Sequence, residues 1–350
     1  EIGTLVPSSS LQMICAILAM EPIDAVICFA RDFGGGSITE NVQSFILENC
    51  IRTADTQFQG AYLKRLLKKL ISEIEYCGGV VLDELYEQYA SHMIGLNDWD
   101  HCSNGNSKVL KKISFIYPGS SCLDSCGYIS SCFGFKKFNV QLMCSTNMLE
   151  GDTGCCIWPS SLFMSEFILS HPEIFASKCC FELGSGVGLV GVCLSHVKAS
   201  KVILSDGDLQ TLANMKCNLE LNDVKHVHYL HLPWEEESTS ENHLRLHGLK
   251  PDVILGADII YDPLCVPHLV KLLAAVLNRD GHWPGRNPVA YVASVIRNVE
   301  TFDCFVSVAE RSGGLSIEDI TGKNRVLNFL PYLRSYQRCA VRMMKICYKS

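Results

Sequence analysis

The chain has 350 residues, of which 48% are hydrophobic and 19% are charged, and its formal net charge is −7. The length allows about two domains of about 150 residues each, and the composition excludes a disordered tail, a coiled coil or a collagen-like rod. Because the charge balance is acidic, the sequence gives little support for direct binding to a nucleic-acid backbone.

The 19 cysteines are spread from Cys15 to Cys347. Disulfide frameworks are typical of short, loop-rich chains in an oxidising compartment, whereas this chain is long enough to bury its own core. The early residues do not follow the pattern of a signal peptide, and the most apolar early stretch, 11–30, is interrupted by charged residues. We therefore expect a cytoplasmic protein whose reduced thiols serve as small apolar side chains.

Helical patterns dominate the first hundred residues. The segment 61–75 places apolar residues three and four positions apart, as one face of an amphipathic helix requires, and 82–90 predicts a second such helix. The basic run at 64–69 is a candidate contact for an acidic partner, although such a run is more often the solvated face of a helix. We place a helical accessory domain for substrate recognition at 1–140.

A stretch rich in Asn, Ser, Gly and Cys at 97–135 predicts a loop-rich junction with short strands. Cys122, Cys126 and Cys132 lie close together within it. Their spacing lacks a second compact pair of ligands and so does not fit a structural zinc site. We expect no bound metal.

From residue 179 onwards, short apolar runs alternate with helical segments. This alternation predicts units of strand, helix and strand with right-handed crossovers and a parallel sheet. The last apolar run, 339–347, could pair as an antiparallel strand. We therefore predict a doubly wound, Rossmann-like α/β domain at 141–350. Its predicted elements are 179–183, 187–196, 201–205, 209–221, 227–232, 252–257, 263–277 and 289–295.

A glycine-rich turn follows the first of these predicted strands. Gly184, Gly186 and Gly188 let the backbone turn sharply and let a ligand approach closely. The helix that follows presents free N–H groups and the positive end of its dipole, which suits a dinucleotide or S-adenosylmethionine. Glu182 favours the second, because its carboxylate would repel a pyrophosphate but not the cationic amino group and sulfonium of S-adenosylmethionine.

Three further strand ends carry candidate side chains. Asp206 ends the second strand, where a carboxylate can accept both ribose hydroxyls of either cofactor. Trp234 follows the third strand, where an indole can pack along an adenine, although an isolated Trp is more often part of a core or its rim. Asp258 and Tyr261 follow the fourth strand, at the edge where open α/β sheets bind ligands. Alternatively, Asp258 could cap a helix that starts near Pro263.

A set of motifs resembles the family-16 group of seven-β-strand protein lysine methyltransferases. The set consists of 182–191, Asp206, Trp234, 257–261 and the earlier Trp158. The likeness is greatest with the members that methylate elongation factor 2, which share a helical N-terminal domain and three shorter motifs. The shorter motifs are matched here by 83–87, 297–301 and 330–332.

The resemblance implies a class I methyltransferase core with strand order 3-2-1-4-5-7-6, whose antiparallel strand 7 would be 339–347. It implies S-adenosylmethionine as the cofactor and a lysine of a folded protein, elongation factor 2, as the substrate. Asp258 and Tyr261 would be catalytic: we expect them to orient the amine and help to remove its proton. The residues implied to line the cofactor are Trp158, Glu182, Gly184, Ser185, Gly186, Gly188, Asp206, Trp234 and Ala257.

One position departs from the family pattern. Many relatives have an acidic residue immediately before the tryptophan that follows strand 3, and here that position is Pro233. Backbone groups or Glu235 would then have to contact the adenine amine. We expect a monomer that contacts neither nucleic acid nor membrane directly.

Three other functions stay open at this point. The chain could keep the fold as a non-catalytic interaction protein. It could be an NAD-dependent oxidoreductase, which Glu182 and the lack of an evident hydride-transfer partner disfavour. It could also methylate RNA or a small molecule, which the acidic composition disfavours.

Overall fold

The computed structural model describes residues 7–54, 56–94, 108–118, 135–145, 152–236, 249–278, 287–312 and 314–349. The chain divides into two compact units. The first contains residues 1–147 together with Asn328–Tyr336, and the second contains Met148–Leu327 and Gln337–Ser350. Among the described residues, none of the helices has the length and hydrophobicity that crossing a bilayer demands.

The helices of the first unit begin at clear local signals. The side chains of Ser8 and Thr39 cap two of them by accepting hydrogen bonds from the backbone N–H groups of Leu11 and Val42. The helices are α1 (Ser9–Leu18), α2 (Ile23–Phe33), α3 (Glu40–Ile46), which continues into a π-helical turn at Leu47–Ile51, α4 (Thr56–Tyr76) and α5 (Asp83–Ile94).

The apolar stripe predicted within 61–75 is confirmed along α4. Its side chains are at most 7% exposed, so the burial of this face, more than intrinsic propensity, holds the helix in place. The basic run on the same helix points mostly to solvent. The buried residues of the stripe are Leu63, Leu66, Leu67, Leu70, Ile71 and Ile74.

Two long strands follow these helices among the described residues. They are β1 (Lys108–Pro118) and β2 (Phe135–Ser145), which pair antiparallel over 11 residues each. We expected only short strands in this region, and residue 140, the expected domain boundary, falls inside β2. Both segments are rich in lysine, which is uncommon in strands. Each strand also depends on pairing with a segment distant in the sequence, so local composition does not predict these strands. Cys122, Cys126 and Cys132 lie outside the described residues.

A late segment, Asn328–Tyr336, belongs to the first unit. The backbone N–H of Ile116 donates a hydrogen bond of 2.8 Å to the carbonyl of Phe329, and that of Ser335 donates one of 3.0 Å to the buried carboxylate of Glu21. The segment therefore contributes core to a unit that is otherwise built from the start of the chain. Its buried side chains are Phe329, Leu330, Tyr332, Leu333 and Tyr336.

The second unit is built on a seven-stranded sheet with the order β5-β4-β3-β6-β7-β9-β8. The first five strands in this order are parallel, and β9 runs antiparallel to both of its neighbours. Numbered from β3, the order is 3-2-1-4-5-7-6, which confirms the implied fold. The strands are β3 (Cys179–Leu183), β4 (Lys201–Asp206), β5 (Val227–His231), β6 (Val253–Ala257), β7 (Val289–Val295), β8 (Leu315–Asp319) and β9 (Val341–Tyr348).

Helices cover this sheet, and its central strands read as continuous apolar runs because they are buried on both faces. A core that contains Phe181, Ile254, Leu272 and Phe305 lies between the sheet and two of the helices. The helices are α6 (Pro159–Ser170), α7 (Pro172–Phe175), α8 (Leu189–His196), α9 (Leu209–Leu221), α10 (Val266–Leu277) and α11 (Val299–Arg311).

Several cysteines lie in these cores. Burial raises the pKa of Cys50, Cys180 and Cys193 to about 12. These thiols therefore remain protonated at neutral pH and act as apolar side chains.

Candidate active site

The candidate site lies at the carboxyl edge of the parallel strands. Leu183, at the end of β3, is level with Ser205 in β4 and with Gly256 in β6. The loops that follow these strands therefore leave the sheet side by side. This is the edge at which open α/β sheets bind their ligands.

The loop after β3 brings three parts of the predicted site together. Gly184 has a φ angle of +61°, a backbone conformation that residues other than glycine rarely adopt. A Cβ atom at Gly184 would lie 3.0 Å from Cγ2 of Ile259 and 3.7 Å from Cζ2 of Trp234. The segments after β5 and β6 therefore converge on this loop, and a side chain at Gly184 would be tight against Ile259 as well as strained in its backbone.

The same loop is held to β4. The backbone N–H of Ser185 donates to the carbonyl of Ser205 at 2.8 Å, and the hydroxyl of Ser185 accepts from the N–H of Ser205 at 3.1 Å. The carboxylate of Asp206 accepts from the N–H of Gly186 at 3.1 Å. The hydroxyl of Ser185, a residue predicted to line the cofactor, thus helps to fix the shape of the loop.

Glu182 is the most deeply buried acid of the site, with 1% of its surface exposed. Within the described part of the chain, its Oε2 atom has no hydrogen-bond partner. Burial raises the pKa of Glu182 well above its usual range, and the nearby Asp206 raises it further. A buried acceptor without a partner beside a glycine loop fits a ligand that brings a cationic donor, as the amino group of S-adenosylmethionine does.

Trp158 lies in a segment that packs against the glycine loop. Its Nε1 atom donates a hydrogen bond of 3.0 Å to the carbonyl of Thr153. A Cβ atom at Gly186 would lie 3.1 Å from the carbonyl oxygen of Gly154. The tryptophan-bearing segment, 153–158, is thus part of the same site although it precedes the sheet in sequence.

Trp234 begins a 3₁₀ turn, Trp234–Glu236, directly after β5, and is half-buried. Glu235 is exposed, and its carboxylate accepts a hydrogen bond from the thiol of Cys265 at 3.4 Å. Desolvation and this contact raise the pKa of Cys265 to about 12. Glu235 was the alternative acid for the adenine amine, because position 233 is a proline. Its carboxylate is instead in contact with Cys265, the residue before α10.

No group of three His, Cys, Asp or Glu side chains within the described ranges is placed to hold a metal.

Asp258 directly follows β6 and adopts a φ angle of +61°. Its backbone N–H donates to the carbonyl of Ala293 at 2.8 Å, and its side chain is 5% exposed. The carboxylate accepts two hydrogen bonds from Arg297, at 3.0 and 2.8 Å. The alternative role as a helix cap is wrong, because α10 begins at Val266 and has no side-chain cap.

Arg297 also contacts the tryptophan-bearing segment. Its guanidinium carbon lies 5.0 Å from the centre of a Trp158 ring, and 45% of its side chain is exposed. Its hydrogen bonds to Asp258 raise the pKa of the Arg297 guanidinium. Tyr261 is 65% exposed, and partial desolvation together with nearby acidic groups raises its pKa.

Sequence reasoning gave Arg297 no role beyond membership of a short motif. It pairs with a carboxylate 39 positions earlier, and no local pattern indicates a contact over that distance. The useful signal is indirect: both residues follow neighbouring parallel strands, β6 and β7, whose ends must lie side by side.

The sheet order, the glycine loop after its first strand and the acid at the end of its second are those of the class I methyltransferase fold. More particularly, residues 136–308 match the model of the lysine methyltransferase family. This match favours the methyltransferase interpretation over the oxidoreductase alternative.

Three relatives extend the comparison. An uncharacterised protein of Dictyostelium discoideum is 34% identical over 194 residues, which cover 48% of this chain and 52% of that protein. The human protein-lysine N-methyltransferase EEF2KMT is 26% identical over 266 residues, which cover 72% of this chain and 71% of that protein. The protein-lysine N-methyltransferase EFM3 of Chaetomium thermophilum is 31% identical over 188 residues, which cover 51% of this chain and 54% of that protein. The chain thus spans about half of the length of two of these relatives.

Proposed function

We propose that this protein transfers methyl groups from S-adenosylmethionine to the ε-amino group of a lysine on a folded protein, elongation factor 2. The observation that carries the proposal is the contact between Ile259 and Gly184. Ile259 lies between Asp258 and Tyr261, so this contact sets the two candidate catalytic residues beside the candidate cofactor loop.

The side chains around the loop match the chemistry of the cofactor. Asp206 is suited to accept the ribose hydroxyls. The Oε2 atom of Glu182, which has no partner in the part of the chain that the structure describes, is suited to accept from the amino group. Trp158 and Trp234 offer flat faces on which the rest of the molecule can pack, with Ala257 at the end of β6. When bound, S-adenosylmethionine supplies an already activated methyl group.

The protein's own task is then to align the amine and keep it neutral. A lysine ammonium has a reference pKa of about 10.4 and carries no free electron pair. Asp258 offers carboxylate oxygens for an amine N–H, and Tyr261 is 65% exposed to solvent. We assign these two side chains to the orientation of the amine and to the passage of its proton to water.

Support for elongation factor 2 comes from the alignment with EEF2KMT. Its 266 aligned residues exceed the length of the second unit, so part of the likeness lies in the first unit. We assign substrate recognition to the first unit. Arg65 and Lys68 on α4 are exposed there, and Lys69 lies 3.6 Å from Asp24.

The test is incubation of the purified protein with tritiated S-adenosylmethionine and purified elongation factor 2, beside a whole-cell extract. We expect label in elongation factor 2 and, after acid hydrolysis, in methylated lysine. Label confined to a different protein, to RNA or to small molecules would contradict the substrate assignment. Binding of S-adenosylhomocysteine with no transfer to any component of the extract would favour the non-catalytic alternative.

The role of the first unit has a separate test. Reversing charge with Arg65→Glu and Lys68→Glu should raise KM for elongation factor 2 and leave the affinity for S-adenosylhomocysteine unchanged. The matched control reverses an exposed charge of the second unit, Lys323→Glu. An unchanged KM in the α4 variant would overturn the assignment of these residues.

A further inference from the structure

Arg297 occupies a fixed position between two elements of the second unit. It lies between the end of β7 and α11, whose first turn is capped by Asn298 through hydrogen bonds from Glu300 and Thr301 at 2.9 and 3.3 Å. The cap holds the backbone directly after Arg297. The guanidinium then reaches both oxygens of Asp258 and one face of Trp158.

The pairing changes what the Asp258 carboxylate can do. A nearly buried carboxylate without a cation would favour the charged form of any lysine that entered, because opposite charges at short range stabilise each other. A protonated lysine cannot accept a methyl group. The bidentate contact with Arg297 neutralises the carboxylate and also fixes its orientation. Oδ1 accepts a second hydrogen bond, of 3.4 Å, from the backbone N–H of Val295, whereas Oδ2 accepts only from Arg297 among the described residues and keeps a lone pair for the substrate amine.

We infer that Arg297 is a positioning residue for methyl transfer: it holds Asp258 so that the carboxylate orients the substrate lysine without keeping it protonated. This inference rests on the proposed function. It accounts for an arginine at a site that must accept a cationic substrate, since the neutral Asp258–Arg297 pair removes the charge that would trap the ammonium form.

Other titratable groups face the same opening. Tyr261 lies in the segment after β6 and is influenced by Cys265, Asp206, Asp262 and Glu235. These groups are unchanged in variants of Arg297 and Asp258. A shift of the pH profile between such variants therefore reports on the pair itself.

The experiment measures kcat on elongation factor 2 across the pH range for wild type, Arg297→Met, Arg297→Lys, Asp258→Asn and the double variant Arg297→Met/Asp258→Asn. For Arg297→Met we expect kcat at neutral pH to fall about 10- to 100-fold and the profile to move about one to two pH units to the alkaline side, as an uncompensated carboxylate requires. Arg297→Lys should lie between wild type and Arg297→Met, because lysine keeps the charge without the bidentate geometry.

The double variant separates this role from a merely structural one. If Arg297 acts through Asp258, the double variant loses no more than Asp258→Asn alone, because residues that act as a unit are not additive. The matched control is Arg342→Met, which removes an exposed arginine 3.5 Å from Asp319 and should leave the profile unchanged. Unfolding midpoints and the affinity for S-adenosylhomocysteine verify that every variant is folded.

Two results would overturn the inference: a profile of Arg297→Met that superimposes on that of the wild type, or losses that multiply in the double variant. Either leaves the proposed function standing, because the wild type still transfers methyl groups. A wild type that methylates no lysine would instead remove the proposed function and this inference together.

Discussion

The hydroxyl of Tyr332 accepts a hydrogen bond of 2.7 Å from the backbone N–H of Ser114, which lies 218 positions earlier in the chain. Tyr332 has no exposed surface, and Ser114 is 1% exposed. The connection between β8 and β9 thus supplies a buried acceptor to the first unit. Loss of that acceptor would leave a buried N–H group unsatisfied.

Tyr332→Phe should therefore destabilise the protein, by about 1–3 kcal/mol, since the Ser114 N–H loses its acceptor and stays buried. Denaturant unfolding measures the change, and hydrogen exchange at the Ser114 amide localises it. Tyr76→Phe is the control, because Tyr76 is 89% exposed and its change should be neutral. Equal stabilities for the two variants would contradict the importance of this hydrogen bond.

Gly184→Ala should weaken cofactor binding and stability together. The left-handed backbone at this position costs a side chain about 1–2 kcal/mol, and the new Cβ atom would lie 3.0 Å from Ile259. Calorimetric titration with S-adenosylhomocysteine measures the affinity. Gly60→Ala is the control: Gly60 lies within α4 with open space around it, so alanine should stabilise the helix by up to about 1 kcal/mol. A Gly184→Ala protein that binds S-adenosylhomocysteine as tightly as wild type would show that crowding at Gly184 does not limit cofactor binding.

The raised pKa of Glu182 predicts a specific dependence of stability on pH. Below the usual glutamate range, both folded and unfolded chains bind the proton. As the pH rises, the unfolded chain releases its proton while the folded chain retains it, so this residue lowers the free energy of unfolding until the folded-state pKa is passed. The ligand-free protein should lose stability through this group as the pH rises.

Glu182→Gln should remove this slope, which thermal unfolding from about pH 5 to about pH 8 would measure. The same variant should bind S-adenosylhomocysteine more weakly, because the amide lacks the charge that attracts the ligand's amino group. Glu310→Gln, an exposed change on α11, is the control for both measurements. A variant with the wild-type slope would show that Glu182 does not determine it.

Asp258→Asn and Tyr261→Phe should each lower turnover while S-adenosylhomocysteine still binds. Loss of a group that assists proton transfer typically costs about 10²- to 10⁴-fold in rate. Tyr229→Phe on the edge strand β5 is the control for the tyrosine, since it removes a hydroxyl of the same unit away from the glycine loop. If both active-site variants turned over at the wild-type rate, neither side chain would be catalytic.

The difference between prediction and structure follows from the range of each interaction. Strand β3, the glycine turn and the acid at Asp206 are predictable because hydrophobic periodicity and turn chemistry are properties of neighbouring residues. Ser185 shows the limit of such reasoning. Its position in the turn predicts a ligand contact, but the hydrogen bond of its hydroxyl with Ser205 depends on the register with β4, which the turn does not encode.

The sequence by itself determined the local elements of the core, the buried face of α4 and the motifs that indicate the methyltransferase family. Only the tertiary structure decided that Arg297 holds Asp258, that Oε2 of Glu182 is buried without a partner among the described residues and that Asn328–Tyr336 packs into the first unit. The physical reason is that these features depend on which strand ends and segments lie side by side. Sheet order and register, not the spacing of residues along the chain, bring them together.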